Sequence, residues 1–272
     1  MRFYGALPSH DTRDVDFHAS DVYAGALPTP VRDYDFRDLH TWRVQQAPSC
    51  VAVSMNSKAQ MLAKAQGRKL PLLCYNWSWT GARMALEPPV PGMPLEITGS
   101  NGHQNMKHAR DRGFRAESAF PDVVENHTRV PPASAWQAEA VAKLGRWSRI
   151  KGEGNPDRLR DGILNAFRLL DAGGQCSPPG VVLEVGSGFA PIDGSAWDGT
   201  VGDNRGYHDQ MIIAYRKSDD CVGLASSWGG GEVVFWVTVT LLAERGSWFS
   251  VIESLIYPSS TDSTAYPSSE TA

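Results

Sequence analysis

The sequence predicts an α+β fold in which helices form the first part of the chain and an antiparallel sheet forms the second. Apolar residues recur at helical spacing between positions 49 and 66, and again between 156 and 170. From position 181 onward, the pattern changes to short runs rich in valine and isoleucine, which is typical of strands. These observations indicate a helical lobe followed by a lobe built on a sheet.

The elements are expected at definite positions along the chain. We expect helices at 49–66, 70–84, 104–112, 134–147 and 156–170, and strands at 181–185, 208–215, 221–226, 232–239 and 248–256. The resulting organisation is an extended N-terminal arm (1–35), a helical lobe (36–130), a β lobe (131–257) and a tail (258–272). The tail is rich in Ser and Thr and holds too few apolar residues to fold, so we expect it to be disordered.

Composition limits the classes of function. The chain has 272 residues, of which 42% are hydrophobic, and this is enough for one sizeable domain or two small lobes. A net charge of −4 does not favour a nucleic-acid partner. No apolar stretch approaches the length of a membrane span, and the N-terminus lacks the apolar core of a secretory signal. We therefore expect a cytoplasmic protein.

Cysteine usage indicates a reducing compartment and no metal. The four cysteines are Cys50, Cys74, Cys176 and Cys221, which is too low a density for a disulfide scaffold. They lack the spacing of zinc ligands, so we expect neither a metal nor a cofactor.

Cys50 is the candidate nucleophile. It follows Pro48 and Ser49, residue types that suit a helix start through a fixed φ and side-chain capping. The exposed N–H groups of a first helical turn carry partial positive charge, which favours a thiolate. The upstream amides Gln45 and Gln46 are candidate donors to a developing oxyanion.

His208 is the candidate general base. It opens the strand-like run from Met211 to Tyr215, and that run is followed by Ser226, Ser227 and Trp228. A base within reach of a thiol takes its proton and later returns it to the leaving group. The other histidines lack such a context and are expected to be structural.

Three segments resemble the papain-like (C1-type) cysteine peptidases, above all their bacterial and phage branch. The run Gln-Gln-Ala-Pro-Ser-Cys-Val ending at position 51 is similar to the family's Gln-Gly-x-Cys-Gly-Ser-Cys-Trp. The run His-Asp-Gln-Met-Ile-Ile-Ala-Tyr from 208 is similar to His-Ala-Val-x-x-Val-Gly-Tyr. The run Ala-Ser-Ser-Trp-Gly from 225 is similar to Lys-Asn-Ser-Trp-Gly. The resemblance runs from about 35 to 257 and implies a two-lobed fold, with a helical left lobe and an antiparallel β half-barrel.

The resemblance also implies roles for the surrounding residues. Ser226 takes the position of the family's asparagine, which orients the catalytic imidazole, and Gln45 is the nearer match to the oxyanion glutamine. Trp228 is expected either to cover the contact between Ser226 and His208 from solvent or simply to pack in the core. Asp209 replaces a small residue; it either points towards the thiolate and raises the imidazolium pKa, or is a solvated turn residue.

Two hypotheses follow from the resemblance. The first is a thiol peptidase that hydrolyses peptide bonds of a peptide or protein substrate through a Cys50 thioester. The second is a weakly active or inactive papain-fold protein that serves as a structural or binding component of a larger assembly, such as a phage virion or tail. The second is motivated by Ser226 in place of asparagine and by the shortened glutamine loop. Another Cys-His acyl transferase is disfavoured by the Ser-Trp-Gly element.

Overall fold

The described helices lie mainly in the first part of the chain and the longer strands in the second. The computed structural model describes residues 6–7, 16–17, 31–86, 89–90, 93–228 and 232–258. The helices are α1 Cys50–Ala65, α2 Tyr75–Leu86, α3 Gly102–Asp111, α4 Ala133–Gln137, α5 Pro156–Asp171 and α6 Val239–Arg245. The strands are β1 Ala6–Leu7, β2 Asp16–Phe17, β3 Tyr34–Asp35, β4 Ser100–Asn101, β5 Lys143–Ile150, β6 Gly180–Val185, β7 Gly206–Arg216, β8 Cys221–Ser226, β9 Val233–Thr238 and β10 Gly246–Ile256.

Helix α1 is the central element because it is buried on all sides. Its sequence contains neither Gly nor Pro and is rich in Ala, Met and other good helix formers. Every residue from Cys50 to Ala63 is buried. The helix ends before Gly67, whose φ of 69° is the left-handed conformation that glycine adopts without strain. One side of α1 packs on α2 and α3, and the other packs on β7 and β10, so the helix lies between the two lobes.

The helical lobe packs on the first side of α1. Its apolar cluster joins Met55 and Leu62 of α1 to Met106 of α3 and to Phe114. The start of α2 is capped by Asp122, whose carboxylate accepts from the backbone N–H groups of Tyr75 and Asn76.

The second lobe is a long sheet with the order β2-β5-β10-β6-β7-β8-β9, and β3 adds to β7. Neighbouring strands are antiparallel except for β2 and β5. Helix α5 covers the sheet with an apolar face that includes Ile163 and Phe167. Its start matches the sequence signals, because Pro156 occupies the first turn and the Asn155 side chain accepts from the N–H of Arg158.

Two predicted helices have other bounds in the structure. The expected helix 134–147 is wrong over most of its length: α4 ends at Gln137 and the chain then forms β5. In β5 the side chains of Leu144, Ser148 and Ile150 are buried while others are more exposed, a strand pattern that the Arg and Ser residues conceal in the sequence. The expected helix 70–84 begins only at Tyr75, because Pro71 interrupts the earlier residues.

The predicted arm and tail lie largely outside the described residues. Within 1–35, β1 pairs with β4, β2 pairs with β5 and β3 pairs with β7. The described parts of the arm therefore contact both the helical and the β part of the chain. The tail predicted at 258–272 falls, apart from Pro258, outside the described residues.

Candidate active site

Cys50 is the first residue of α1 and is fully buried, with 0% of its surface exposed. The first α-helical hydrogen bond of this turn runs from the N–H of Val53 to the carbonyl of Ser49. The cysteine belongs to a small apolar cluster with Val51, Val182 of β6 and Trp248 of β10, and this cluster also contains Ala6 of β1. A thiol at this position lies at the positive end of the helix and at the interface with the sheet.

Ser49 occupies the N-cap position of α1, but its side chain does not cap the helix. Its hydroxyl instead donates to the carbonyl of Ala47 at 3.3 Å, and its backbone N–H donates to the same carbonyl at 2.7 Å. The predicted side-chain cap is therefore wrong, because the tight turn at Ala47 draws the hydroxyl back along the chain. The N–H groups of the first helical turn consequently receive no bond from Ser49.

His208 lies near the start of β7 with 0% of its surface exposed. Its ring stacks on Trp228, with ring centroids 4.0 Å apart and an interplanar angle of 27°. Among the described residues, neither ring nitrogen has a hydrogen-bond partner. Burial lowers the pKa of His208 to about 3, so the ring is neutral in this arrangement.

The register of β6 and β7 shows which side of the sheet each residue faces. His208 pairs with Leu183, which belongs to the core of the sheet lobe, and Asp209 pairs with Val182, which belongs to the cluster around Cys50. Since directly paired residues share a face of a sheet, Asp209 faces α1 and the ring of His208 lies on the side of the sheet core. The structure brings α1 and β7 together, but no hydrogen bond joins Cys50 to His208.

Ser226 is engaged locally rather than by His208. The backbone N–H of Trp228 donates to the Ser226 hydroxyl oxygen at 3.1 Å. Because both ring nitrogens of His208 lack partners among the described residues, Ser226 does not orient the ring in this arrangement. The expected contact between Trp228 and His208 is present as a direct ring stack.

The two glutamines have different surroundings. Gln45 is buried, and its side-chain oxygen accepts a 2.6 Å hydrogen bond from the hydroxyl of Ser227 while its amide nitrogen donates to the carbonyl of Ala47 at 3.1 Å. A 3.0 Å backbone bond from Gln45 N–H to Ser227 carbonyl reinforces this link. Gln46 is exposed. Gln45 therefore joins the loop before Cys50 to the end of β8.

Asp209 is not a solvated turn residue, since only 3% of it is exposed. Burial raises the pKa of its carboxyl group to about 6, against the opposing effects of the Lys58 charge and a hydrogen bond from Ser54. Lys58 is equally buried, and its ammonium donates to the hydroxyl of Ser250 at 2.7 Å.

Ser54, Lys58 and Ala6 were missed by the sequence interpretation. Ser54 and Lys58 follow Cys50 by four and eight residues, so they share its side of α1, and this polar spacing was a usable signal. Nothing in the local sequence of Ala6 indicates its packing beside Cys50, because that contact depends on the tertiary path of the chain.

Neither a metal site nor a membrane-spanning helix is present among the described residues. Within them, no group of three or more His, Cys, Asp or Glu side chains is arranged to hold a metal ion. None of the described helices combines the length and the apolar character needed to cross a membrane.

Similarity to known proteins lies in the fold. No family model and no curated relative matches the sequence. Xylellain, a cysteine protease from Xylella fastidiosa, is 16% identical with a TM-score of 0.71, and the match covers 92% of this chain and 96% of that one. Digestive procathepsin L2 from Tenebrio molitor is 16% identical with a TM-score of 0.66, covering 93% of this chain and 78% of that one.

A plant enzyme extends the same similarity. The Carica candamarcensis cysteine protease CMS1MS2, solved in complex with E-64, is 17% identical with a TM-score of 0.59, and the match covers 83% of this chain and 99% of that one. These matches cover 83–93% of this chain, and they agree with a helical lobe and an antiparallel sheet lobe on either side of α1. The chain therefore has the papain-like cysteine-protease fold.

Proposed function

We propose that the protein is a thiol peptidase that hydrolyses peptide bonds. The observation that carries this proposal is the position of Cys50, at the first turn of a buried helix that packs on the strand bearing His208, within a papain-like fold. Helix position, fold and chain order all favour a Cys-His nucleophilic pair.

The reaction begins with transfer of the Cys50 proton to His208. The thiolate attacks the carbonyl carbon of the scissile amide, and the oxyanion accepts hydrogen bonds from the N–H groups of the first turn of α1 and from the Gln45 amide. The tetrahedral adduct collapses to a thioester as the imidazolium protonates the leaving amine. Water, deprotonated by the neutral imidazole, then attacks the thioester, and Cys50 and the carboxylic acid are released.

The catalytic arrangement requires changes from the described one. The start of β7 must shift so that the His208 ring leaves its stack on Trp228 and the sheet-core side and faces Cys50, and a substrate must displace the apolar neighbours of the thiol. Catalytic hydrogen bonds in free enzymes often form fully only when substrate binds, so this proposal places formation of the Cys50–His208 bond in the substrate complex.

The second candidate is a papain-fold protein with weak or absent activity that acts as a component of a larger assembly. It is favoured by three features of the site: the 0% exposure of Cys50, the unpartnered ring of His208 and the local engagement of Ser226. In that role Cys50 would be a small buried apolar residue.

Labelling with an epoxide thiol inhibitor of the E-64 type separates the two candidates. We expect stoichiometric labelling of Cys50 in the wild-type protein, none in Cys50→Ala, and at least a tenfold slower rate in His208→Ala, as removal of a general base typically costs about 10²–10⁴-fold in rate. The matched control is Cys176→Ala, which removes another buried thiol and should label normally. Equal labelling of the wild type and Cys50→Ala, located by mass spectrometry, would refute the peptidase proposal.

A further inference from the structure

Two side chains of opposite charge are buried on the elements that carry Cys50 and His208. Lys58 is 1% exposed and Asp209 is 3% exposed. Lys58 lies two helical turns after Cys50 on the same side of α1, and Asp209 directly follows His208 on β7. Each belongs to one of the two elements that carry the candidate catalytic residues. We call Lys58 and Asp209 the buried charge pair.

Lys58 and Asp209 each hydrogen-bond to a different serine hydroxyl group, and they form no direct ion pair. Lys58 donates to Ser250 on β10 at 2.7 Å, and Ser54, midway between Cys50 and Lys58 on α1, hydrogen-bonds to Asp209. One carboxylate oxygen of Asp209 has no partner among the described residues. A lone buried charge is strongly unfavourable, so each member of the pair depends on the other.

Other charged groups near Asp209 do not substitute for Lys58. His40 and Arg43 line a small buried cavity together with Asp209. Burial, aided by the Lys64 charge, lowers the pKa of His40 to about 4, so His40 is neutral near pH 7. Arg43 forms ion pairs with Glu117 and Asp122. From β6, Asp209 faces the apolar Val182, and from β8 the nearby cavity residues are Ala225, Ser226 and Ser227.

The surroundings of Lys58 also indicate that Asp209 is its counter-charge. Its ammonium lies against Gly180 of β6, where a Cβ atom would come within 2.5 Å of the Lys58 nitrogen. Besides Asp209, the ionisable group that acts on Lys58 is the thiol of Cys176, and burial raises the pKa of that thiol and keeps it neutral. Asp209 is therefore the anion that balances Lys58.

We propose that Lys58 and Asp209 are positioning residues for the candidate nucleophile, holding α1 against β7 and cancelling one another's field at the Cys50 thiol. This inference rests on the proposed function, because a positioning role matters for catalysis only if Cys50 is the nucleophile. Asp209 alone would disfavour a thiolate at Cys50, and Lys58 alone would favour it. With both present, neither charge dominates the ionisation of Cys50.

The test follows the ionisation of Cys50 without any substrate. The full chain is labelled with ¹³C at cysteine Cβ, the Cys50 signal is identified by its loss in Cys50→Ser, and its chemical shift is titrated against pH. We expect Lys58→Met to raise the titration midpoint by about one pH unit, as an unbalanced nearby charge typically does. We expect Asp209→Asn to lower it, and the double variant to return to within a few tenths of wild type. Lys64→Met, which alters an exposed lysine of the same helix, should leave the midpoint unchanged.

The proposal is overturned if both single variants stay within a few tenths of the wild-type midpoint, or if both move it in the same direction. Should either single variant fail to fold, Ser54→Ala provides a milder change: it removes the donor to Asp209, weakens the ionisation of that carboxyl group and should also lower the midpoint. No movement in Ser54→Ala would then overturn the proposal. Epoxide labelling of Cys50 decides the peptidase function separately, so the two proposals fail on different measurements.

Discussion

At the scale of single residues, the sequence predicts the candidate nucleophile better than it predicts the contacts of the residues around it. The start of α1 at Cys50 could be predicted because Pro48, Ser49 and the following periodicity are local signals. The stacking of His208 on Trp228 depends on strand register, which no local pattern specifies, and Ser226 is engaged by its neighbour Trp228 rather than by His208. Residue types were therefore predictable, whereas their hydrogen-bond partners were not.

Replacing Ser226 with asparagine tests the orienting role directly. The longer amide of Ser226→Asn reaches farther towards a His208 ring nitrogen that lacks a partner, and satisfying such a buried nitrogen is worth about 1–3 kcal/mol. We expect epoxide labelling of Cys50 to become about tenfold faster. The matched control, Ser227→Asn, disrupts the bond to Gln45 and should slow labelling. If Ser226→Asn labels more slowly than wild type, an orienting role for this position is excluded.

At the scale of elements, long periodic segments were predictable and short polar or distant ones were not. The strands β6, β7 and β8 and the helices α1 and α5 lie within a few residues of their expected positions, since each carries a continuous apolar pattern. The strand β5 was misassigned because its Arg residues and the buried Ser148 mask the alternation. The pairing of β1 with β4 joins residues more than ninety positions apart and leaves no local trace.

The short strand β1 is expected to limit access of reagents to the Cys50 thiol. Ala6 packs in the apolar cluster around Cys50, and β1 is held by a two-residue ladder to Ser100 and Asn101. A carboxylate at position 6 would be buried without compensation, so Ala6→Asp should release β1 and expose the thiol. We expect iodoacetamide to alkylate Cys50 at least about tenfold faster than in wild type. Ala85→Asp, on the exposed end of α2, is the matched control. An unchanged rate would show that β1 does not limit access.

At the scale of the whole molecule, buried ionisable groups set the dependence of stability on pH. Burial lowers the pKa values of His208 to about 3 and of His40 and His108 to about 4, from an ordinary value of 6.5. Burial raises those of Asp122 and Asp209 to about 6, from an ordinary value of 3.8. Burial also lowers the pKa of His127. Between about pH 4.5 and 6 the unfolded chain thus holds protons on at least three histidines that the folded chain lacks, and the folded chain holds them on two carboxyl groups.

The signs of these contributions predict a net acid destabilisation. Each lowered histidine pKa stabilises the fold above 6.5, and that contribution is lost as the pH falls towards its folded value; each raised carboxyl pKa contributes in the opposite direction, because its stabilisation is lost as the pH rises through 6. At least three histidines against two carboxyl groups leave at least one extra proton on the unfolded chain, so the free energy of unfolding should fall by at least about 1.4 kcal/mol per pH unit on acidification in this window. His108→Met removes one titrating histidine that packs between α2 and α3, and it should lower the slope by about 1.4 kcal/mol per pH unit. Urea unfolding at pH 4.5, 5.25 and 6 measures the slope, and an equally steep slope in His108→Met would mean that this ring is protonated in the folded protein.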